Sequence, residues 1–263
     1  MTDEKMPSLL YLWDKRTLYI GPLSEKLRLS QGAATLSLAL DKPISFICNG
    51  MDKPISCRSL LLPAGFSVTV DTQDAVIVNC NLDALGCDFF ALSQRMKKNQ
   101  SGVGYELENE KQLIKGFINM RMARENSQAA FEQLDKLLAY EGDAQYKIDP
   151  RVVSVVEHIK QTVDDNLSVE DLASLVNLSV PRLVQLFKQQ TGVPMRRFRL
   201  WHRLYVTAVK MGKGESLTQA AISAGFTDSS HFSHTFRDML GMSPTAVFAQ
   251  PNELKIMVPD NAP

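Results

Sequence analysis

Histidine is scarce in this chain: there are four in 263 residues, and none precedes His158. An enzyme whose metal centre is built from imidazoles would find no ligands in the N-terminal half. Cysteine is equally sparse. Cys48, Cys57, Cys80 and Cys87 match no compact metal-site spacing and are too few for a disulfide scaffold, so buried or free thiols are expected, with redox sensing as the alternative. No apolar run approaches the ~18 residues of a membrane span, and Met1 to Lys15 are too charged for a secretory leader. The expectation is a cytoplasmic protein that does not enter membranes. Phosphate-loop, nucleophile-elbow and clustered-carboxylate motifs are also missing, so neither catalysis nor a cofactor or metal is expected.

What is present suits two folded domains. Apolar residues make up 44% and charged residues 22%, enough for buried cores and too little charge for wholesale disorder. Lys and Arg total 29, as do Asp and Glu, but the distribution is uneven. Between Leu172 and Gly214 there is no acidic residue, while Arg182, Lys188, Arg196, Arg197, Arg199, Arg203, Lys210 and Lys213 are all basic. Such a stretch is either a solvated helix face or a polyanion-binding surface.

The same region contains one pattern twice. In the first copy Ser168 is placed to cap a helix, Asp171 to return the capping-box bond and Leu167 to staple onto Leu172; Ser179 then opens Val180 to Thr191, which stops at Gly192. In the second, Ser216 with Gln219 opens a helix that turns at Gly225 and Phe226, and Asp228 caps Ser229 to Leu240, stopped by Gly241. Ser168 and Ala173 match Ser216 and Ala221 at one offset, whereas Leu183, Phe187 and Gly192 match Phe232, Phe236 and Gly241 one residue further on, so the second turn is one residue longer. A short helix, a tight turn and a second helix with an uncommitted outer face is the pattern that lays its second helix in a DNA major groove. Met195 to Met211 joins the copies as an amphipathic helix with Phe198, Trp201, Leu204 or Tyr205, and Ala208 on its apolar side. At ~1.5 Å per residue it can hold the two units about one DNA turn, ~34 Å, apart.

Ala221 to Pro244, AISAGFTDSSHFSHTFRDMLGMSP, closely resembles the signature of the AraC/XylS family of transcriptional regulators, and the likeness extends over about Val152 to Phe248. The resemblance implies a helical DNA-binding domain with two helix-turn-helix units attached to an effector or dimerisation domain, with double-stranded DNA and RNA polymerase as partners and activation as the commoner outcome. Carried over position by position, base readout falls to Pro181, Arg182, Val184 and Gln185 in the first unit and to Ser229, Ser230, Ser233 and His234 in the second. Lys188, Arg196, Arg197, Arg203 and Arg237 would meet phosphates. Gln185 stands where members often carry Arg, and Val247 with Phe248 replace the family's aromatic-basic ending.

Before the repeats, short apolar or alternating runs are separated by Gly, Pro and Asp: Ser8 to Trp13, Thr17 to Ile20, Ala34 to Leu40, Ile44 to Cys48, Cys57 to Leu62, Phe66 to Val70 and Ala75 to Cys80. They suggest an antiparallel barrel or sandwich, and the LLLPAG turn at Leu60 to Gly65 resembles that of a cupin barrel. Glu108 to Glu125 and Ser127 to Glu141 read as helices that either dimerise, as in the family, or pack on the barrel. The expected architecture is α+β. A cupin-like effector-sensing or dimerisation domain spans 1–141, a linker 142–150, the double helix-turn-helix domain 151–250 and a flexible tail 251–263. Trp13, Arg28, Phe46 and Arg58 are the candidates for a small-molecule pocket, an Arg anchoring a carboxylate. Control by a protein partner, or a cupin-type metal enzyme carrying a DNA-binding appendage, are the rival readings.

Overall fold

The computed structural model describes residues 6–23, 26–139, 147–165, 167–248 and 254–259. The N-terminal half is strand-rich: β1 (Ser8–Leu12), β2 (Thr17–Pro22), β3 (Lys26–Leu29), β4 (Thr35–Ala39), β5 (Ile44–Cys48), β6 (Ile55–Cys57), β7 (Ser59–Leu62), β8 (Val68–Asp71) and β9 (Val76–Asn81). A short helix, α1 (Asp88–Gln94), leads to the hairpin β10 (Met96–Gln100) and β11 (Val103–Leu107), then to α2 (Glu110–Ala123) and α3 (Ser127–Leu138). The C-terminal half holds α4 (Pro150–Gln161), α5 (Val169–Leu175), α6 (Val180–Thr191), α7 (Met195–Gly212), α8 (Leu217–Ser223), α9 (Ser229–Leu240) and α10 (Pro244–Phe248), and β12 (Leu254–Met257) follows.

Two sheets enclose the first core. The larger has the order β10-β11-β7-β4-β9-β2-β1-β12 and the smaller β3-β8-β5-β6. Because side chains alternate along a strand, β9 sends Ile77 toward the smaller sheet, where Leu27, Phe46, Val68 and Val70 meet it, and Val78 and Cys80 the other way. That outer face is covered by α2 and α3 through Leu113, Phe117, Met120, Ala130, Leu134 and Leu138, so the helical pair packs on the barrel with its apolar stripes. Arg16 reinforces the arrangement from the turn between β1 and β2, donating to Asp88 at 2.7 Å and to Asp135 at 2.8 Å. Of the thiols, Cys48, Cys57 and Cys80 are buried and Cys87 is exposed; burial pushes Cys57 and Cys80 up to about 12. Those two are inert as nucleophiles at neutral pH.

One boundary differs from the sequence expectation. The tail expected to be flexible contains β12, which pairs in parallel with β1 from Ser8 opposite Leu254 to Tyr11 opposite Met257; residues 249–253 and 260–263 lie outside the described residues. Leu254 to Met257 is a short apolar-alternating run ahead of Asp260, Asn261 and Pro263, and Ile256 packs against the cluster that contains Tyr205 and Val209 of α7. At the expected linker, residues 140–146 lie outside the described residues, while Asp149 accepts from the backbone N–H of Arg151 at 3.0 Å and caps α4, with Pro150 in its first turn. The hydrogen bond from Arg151 holds the Asp149 carboxyl down at about 2.

The halves meet along α7. His202 is buried there, stacked on Tyr205 at 5.7 Å, and burial lowers its pKa to about 4 from an ordinary 6.5. Between those values the unfolded chain binds a proton that the folded chain excludes, so stability falls as pH drops from 6.5 toward 4. Urea unfolding at pH 7 and pH 4.5 should show His202→Gln losing less stability than the parent over that interval, by on the order of 2 kcal/mol; equal losses would show that His202 is not the group responsible.

Candidate nucleic-acid interface

The two copies of the sequence pattern are two copies of one structure. α5 and α8 are each seven residues long, and α6 and α9 each twelve. The first unit starts with a complete capping box: Ser168 accepts from the backbone N–H of Asp171 at 3.0 Å, and the Asp171 carboxylate accepts from that of Ser168 at 3.2 Å. In the second, Ser216 accepts from the backbone N–H of Gln219 at 3.4 Å, and its hydroxyl donates to the Gln219 side chain at 2.7 Å. Both turns close with the same long loop-back bond, Leu178 N–H to the Ala173 carbonyl at 2.9 Å and Phe226 N–H to the Ala221 carbonyl at 3.1 Å. The residue before each donor is left-handed, Asn177 at φ 53° and Gly225 at φ 87°.

Each unit has its own core. Val155, Ile159, Leu172, Leu183, Phe187 and Phe198 fill the first; Leu204, Ala221, Phe226, Phe232 and Phe236 fill the second. The rings of the second are set mostly edge to face, Phe226 on Phe232 at 5.3 Å and Phe236 on Phe248 at 5.7 Å. Phe248 therefore belongs to the core, which accounts for an apolar residue in that place.

With the inner faces spent, the outer faces of α6 and α9 are open. Pro181, Arg182, Val184, Gln185 and Lys188 are exposed on α6; Ser229, Ser230, His234 and Arg237 are exposed on α9, and Ser233 is half-buried. Arg182 donates to the Gln185 side chain at 3.3 Å, so the two polar candidates of the first unit are neighbours. His231 faces inward instead: its Nδ1 lies 3.2 Å from the Thr227 hydroxyl and its ring stands edge-on to Phe226. Asp228 caps α9 by accepting from the His231 backbone N–H at 2.8 Å, a bond that lowers its pKa.

The basic stretch is not one charged surface. Arg203, expected at phosphate, is 7% exposed and donates to the Val163 carbonyl at 3.0 Å. Arg197, also expected there, donates to the Ser30 carbonyl and lies 3.9 Å from Asp238. Arg199 donates to the Leu167 carbonyl at 2.6 Å. These guanidiniums satisfy carbonyls in the segment before α5 and at the barrel edge, a use that charge counting cannot separate from phosphate binding. Arg196, Lys188 and Arg237 remain exposed. The simple stripe expected on α7 is likewise replaced by burial of Met195, Phe198, His202, Leu204, Tyr205, Val206 and Val209, because the helix borders three cores at once.

A cavity of about 350 Å³ lies between the barrel and the second unit, walled by Leu10, Leu12, Leu27 and Leu29 on one side and by Trp201, Leu204, Phe236 and Phe248 on the other. None of the four pocket candidates lines it. Trp13 pins α3 by donating to the Ser127 carbonyl at 3.1 Å and borders only a smaller cavity of about 60 Å³. Phe46 is core against Tyr105, Arg58 donates to the Ala39 and Leu40 carbonyls, and Arg28 is exposed on β3. The walls of the cavity come from strands and helices far apart in the chain, so no local pattern marks it. Among the described residues no cluster of three or more His, Cys, Asp or Glu could hold a metal.

A family model described as a helix-turn-helix domain matches residues 172–250. The chain carries a helix-turn-helix domain of the AraC/XylS family. Over 95 residues it is 33% identical to the probable transcriptional regulator LumQ of Photobacterium leiognathi, covering 36% of this chain and 38% of that protein. It is also 33% identical over 95 residues to the transcriptional activator RhrA of Rhizobium meliloti, covering 33% of this chain and 30% of that protein. The chain thus spans about a third of the length of these curated relatives. The likeness in fold is broader than this AraC/XylS domain: an apo ToxT variant of Vibrio cholerae superposes with a TM-score of 0.62 at 11% identity, covering 90% of this chain and 97% of that one. A second ToxT structure, at TM-score 0.52 and 13% identity over 91% and 96%, is bound to (E)-4-(8-methylnaphthalen-1-yl)but-3-enoic acid.

The left-handed residues in the two AraC/XylS-type turns differ in how crowded they are. A Cβ at Gly225 would stand 2.7 Å from the Val163 carbonyl oxygen and 2.9 Å from Arg203 Nε. Gly225→Ala is expected to cost about 1–3 kcal/mol in urea unfolding, whereas Asn177→Gly should change stability by less than about 1 kcal/mol. Equal effects at the two sites would contradict the crowding argument.

Proposed function

We propose that this chain is a sequence-specific transcription regulator that presents α6 and α9 to successive major grooves of double-stranded DNA. The observation that carries the reading is the duplicated unit whose two recognition helices bury their inner faces in separate cores and leave their outer faces open. α7, with 18 residues, spans roughly 27 Å at 1.5 Å per residue and supplies a rigid spacer of the right order for one turn of duplex. Arg182 and Gln185 are the base-reading pair of the first unit, suited to guanine and adenine edges. Ser229, Ser230, Ser233 and His234 read in the second, and Lys188, Arg196 and Arg237 meet phosphate. Arg197 and Arg203 act instead as internal braces.

Control by a small molecule follows from where the cavity lies. A ligand between the two sheets and the second unit would press on Phe236 and Leu240, the inner face of α9, and would shift DNA binding by the difference in its affinity for two arrangements of that helix. The ToxT structure holding an organic acid supports a ligand site in this fold. Activation, through contact with RNA polymerase, is the proposed sign, in keeping with the relative named as a transcriptional activator.

Fluorescence anisotropy on promoter fragments over 50–300 mM salt tests the DNA reading. Lys188→Ala is expected to reduce the slope of log K against log salt by about 1 without changing sequence preference. Arg182→Ala should cost about 1–3 kcal/mol and relax preference at one base pair. Binding that is indifferent to sequence would defeat the proposal.

A further inference from the structure

Among the described residues lining the larger cavity there is no Asp, Glu, Lys, Arg or His. Its polar groups are chiefly amides and hydroxyls, carried by the inward-facing positions of β2, β9 and β4, by Gln31 just before β4, and by Ser8, Thr72 and Tyr205. Across those strands Thr17, Asn81 and Thr35 stand in one row and Tyr19, Asn79 and Ser37 in the next. Their mutual bonds use up acceptors: Ser37 donates to Asn79 Oδ1 at 2.8 Å, Thr35 donates to Gln31 Oε1, and Asn81 Nδ2 donates to Thr17 at 2.7 Å. The amide nitrogens of Gln31 and Asn79 make no hydrogen bond among the described residues, although Gln31 is only 4% exposed. Both amides border the cavity, so whatever fills it is positioned to supply their acceptor.

We propose that the cavity takes an uncharged amphiphile, an apolar body bearing one carbonyl or hydroxyl oxygen that accepts from Gln31 and Asn79. This rests on the reading of the cavity as the effector site. An ionised carboxylate or ammonium would lose its hydration there and meet no counter-charge, so it is disfavoured relative to a neutral oxygen on the same skeleton. At ~30 Å³ for each water-sized group, about 350 Å³ admits roughly a dozen non-hydrogen atoms. Trp201, Leu204, Phe236, Met242 and Phe248 provide the apolar wall against which the body lies.

Isothermal titration of the full chain at pH 7.5 with 2-decanone, decan-1-ol, decanoate and decylammonium separates charge from shape. The two neutral compounds should bind one site, and the two ions at least tenfold more weakly. Gln31→Leu and, independently, Asn79→Leu should each weaken 2-decanone by about fivefold or more, and Ala208→Trp, which fills the cavity from α7, should abolish binding. Decanoate binding as tightly as the ketone would overturn the inference about charge and leave the cavity an effector site. Unchanged ketone affinity in both amide variants would overturn the assignment of donors. If no compound binds, or Ala208→Trp binds the ketone normally, the cavity reading itself fails and this inference with it.

Discussion

Helix α7 is walled in along most of its length, and the rest of the molecule takes its geometry from that. Met195 and Phe198 belong to the first unit's core, Leu204 to the second's, and Tyr205, Val206 and Val209 to a third cluster shared with Leu12 of β1. A helix that serves three cores cannot rotate to relieve one without opening the others, because packed interiors respond to displacement as close-packed solids do. Its arginines add direction to this constraint. Arg199 and Arg203 hold the segment before α5, and Arg197 reaches across to the barrel at Ser30.

The recognition helices are tied to the barrel at their ends. α6 stops at Gly192 and α9 at Gly241, both left-handed at φ 80° and 75°, as a helix-ending glycine commonly is. The same two residues lie close against the barrel: a Cβ at Gly241 would lie 2.9 Å from the Arg28 backbone, and one at Gly192 would lie 3.2 Å from Ala64 Cβ. Absence of a side chain thus satisfies helix termination and lets the barrel approach. Ser30 N–H also donates to the Met239 carbonyl at 3.3 Å, so the last turn of α9 bonds directly to the N-terminal half. Any change in how the two sheets sit reaches α9 through backbone, without a relay of side chains.

How much of this the sequence disclosed follows from the range of the interactions concerned. Caps, glycine stops and the one-residue difference between the two turns were legible because they depend on residues within a few positions of one another, and the structure reproduces them at Ser168, Asp228, Gly192 and Gly241. The apolar alternation located most strands but missed β3 and β10, whose exposed positions carry Lys, Arg and Asn, and β11, whose run is broken by Gly104 and Glu106. The cavity was out of reach, since Leu27, Trp201 and Phe248 become neighbours only after both domains fold. That Arg197 and Arg203 donate to the Ser30 and Val163 carbonyls was out of reach for the same reason: a guanidinium on an amphipathic helix looks the same whether a phosphate or a distant carbonyl awaits it.

The parallel strand β12 means that the polypeptide passes between the two halves twice, once before α4 and once after α10. A single protease cut between α3 and α4 would leave the fragments laced together by the ladder to β1, the Arg197 bond and the Lys160 ion pair with Asp14. The nicked protein would travel as one particle on a sizing column and come apart only in denaturant.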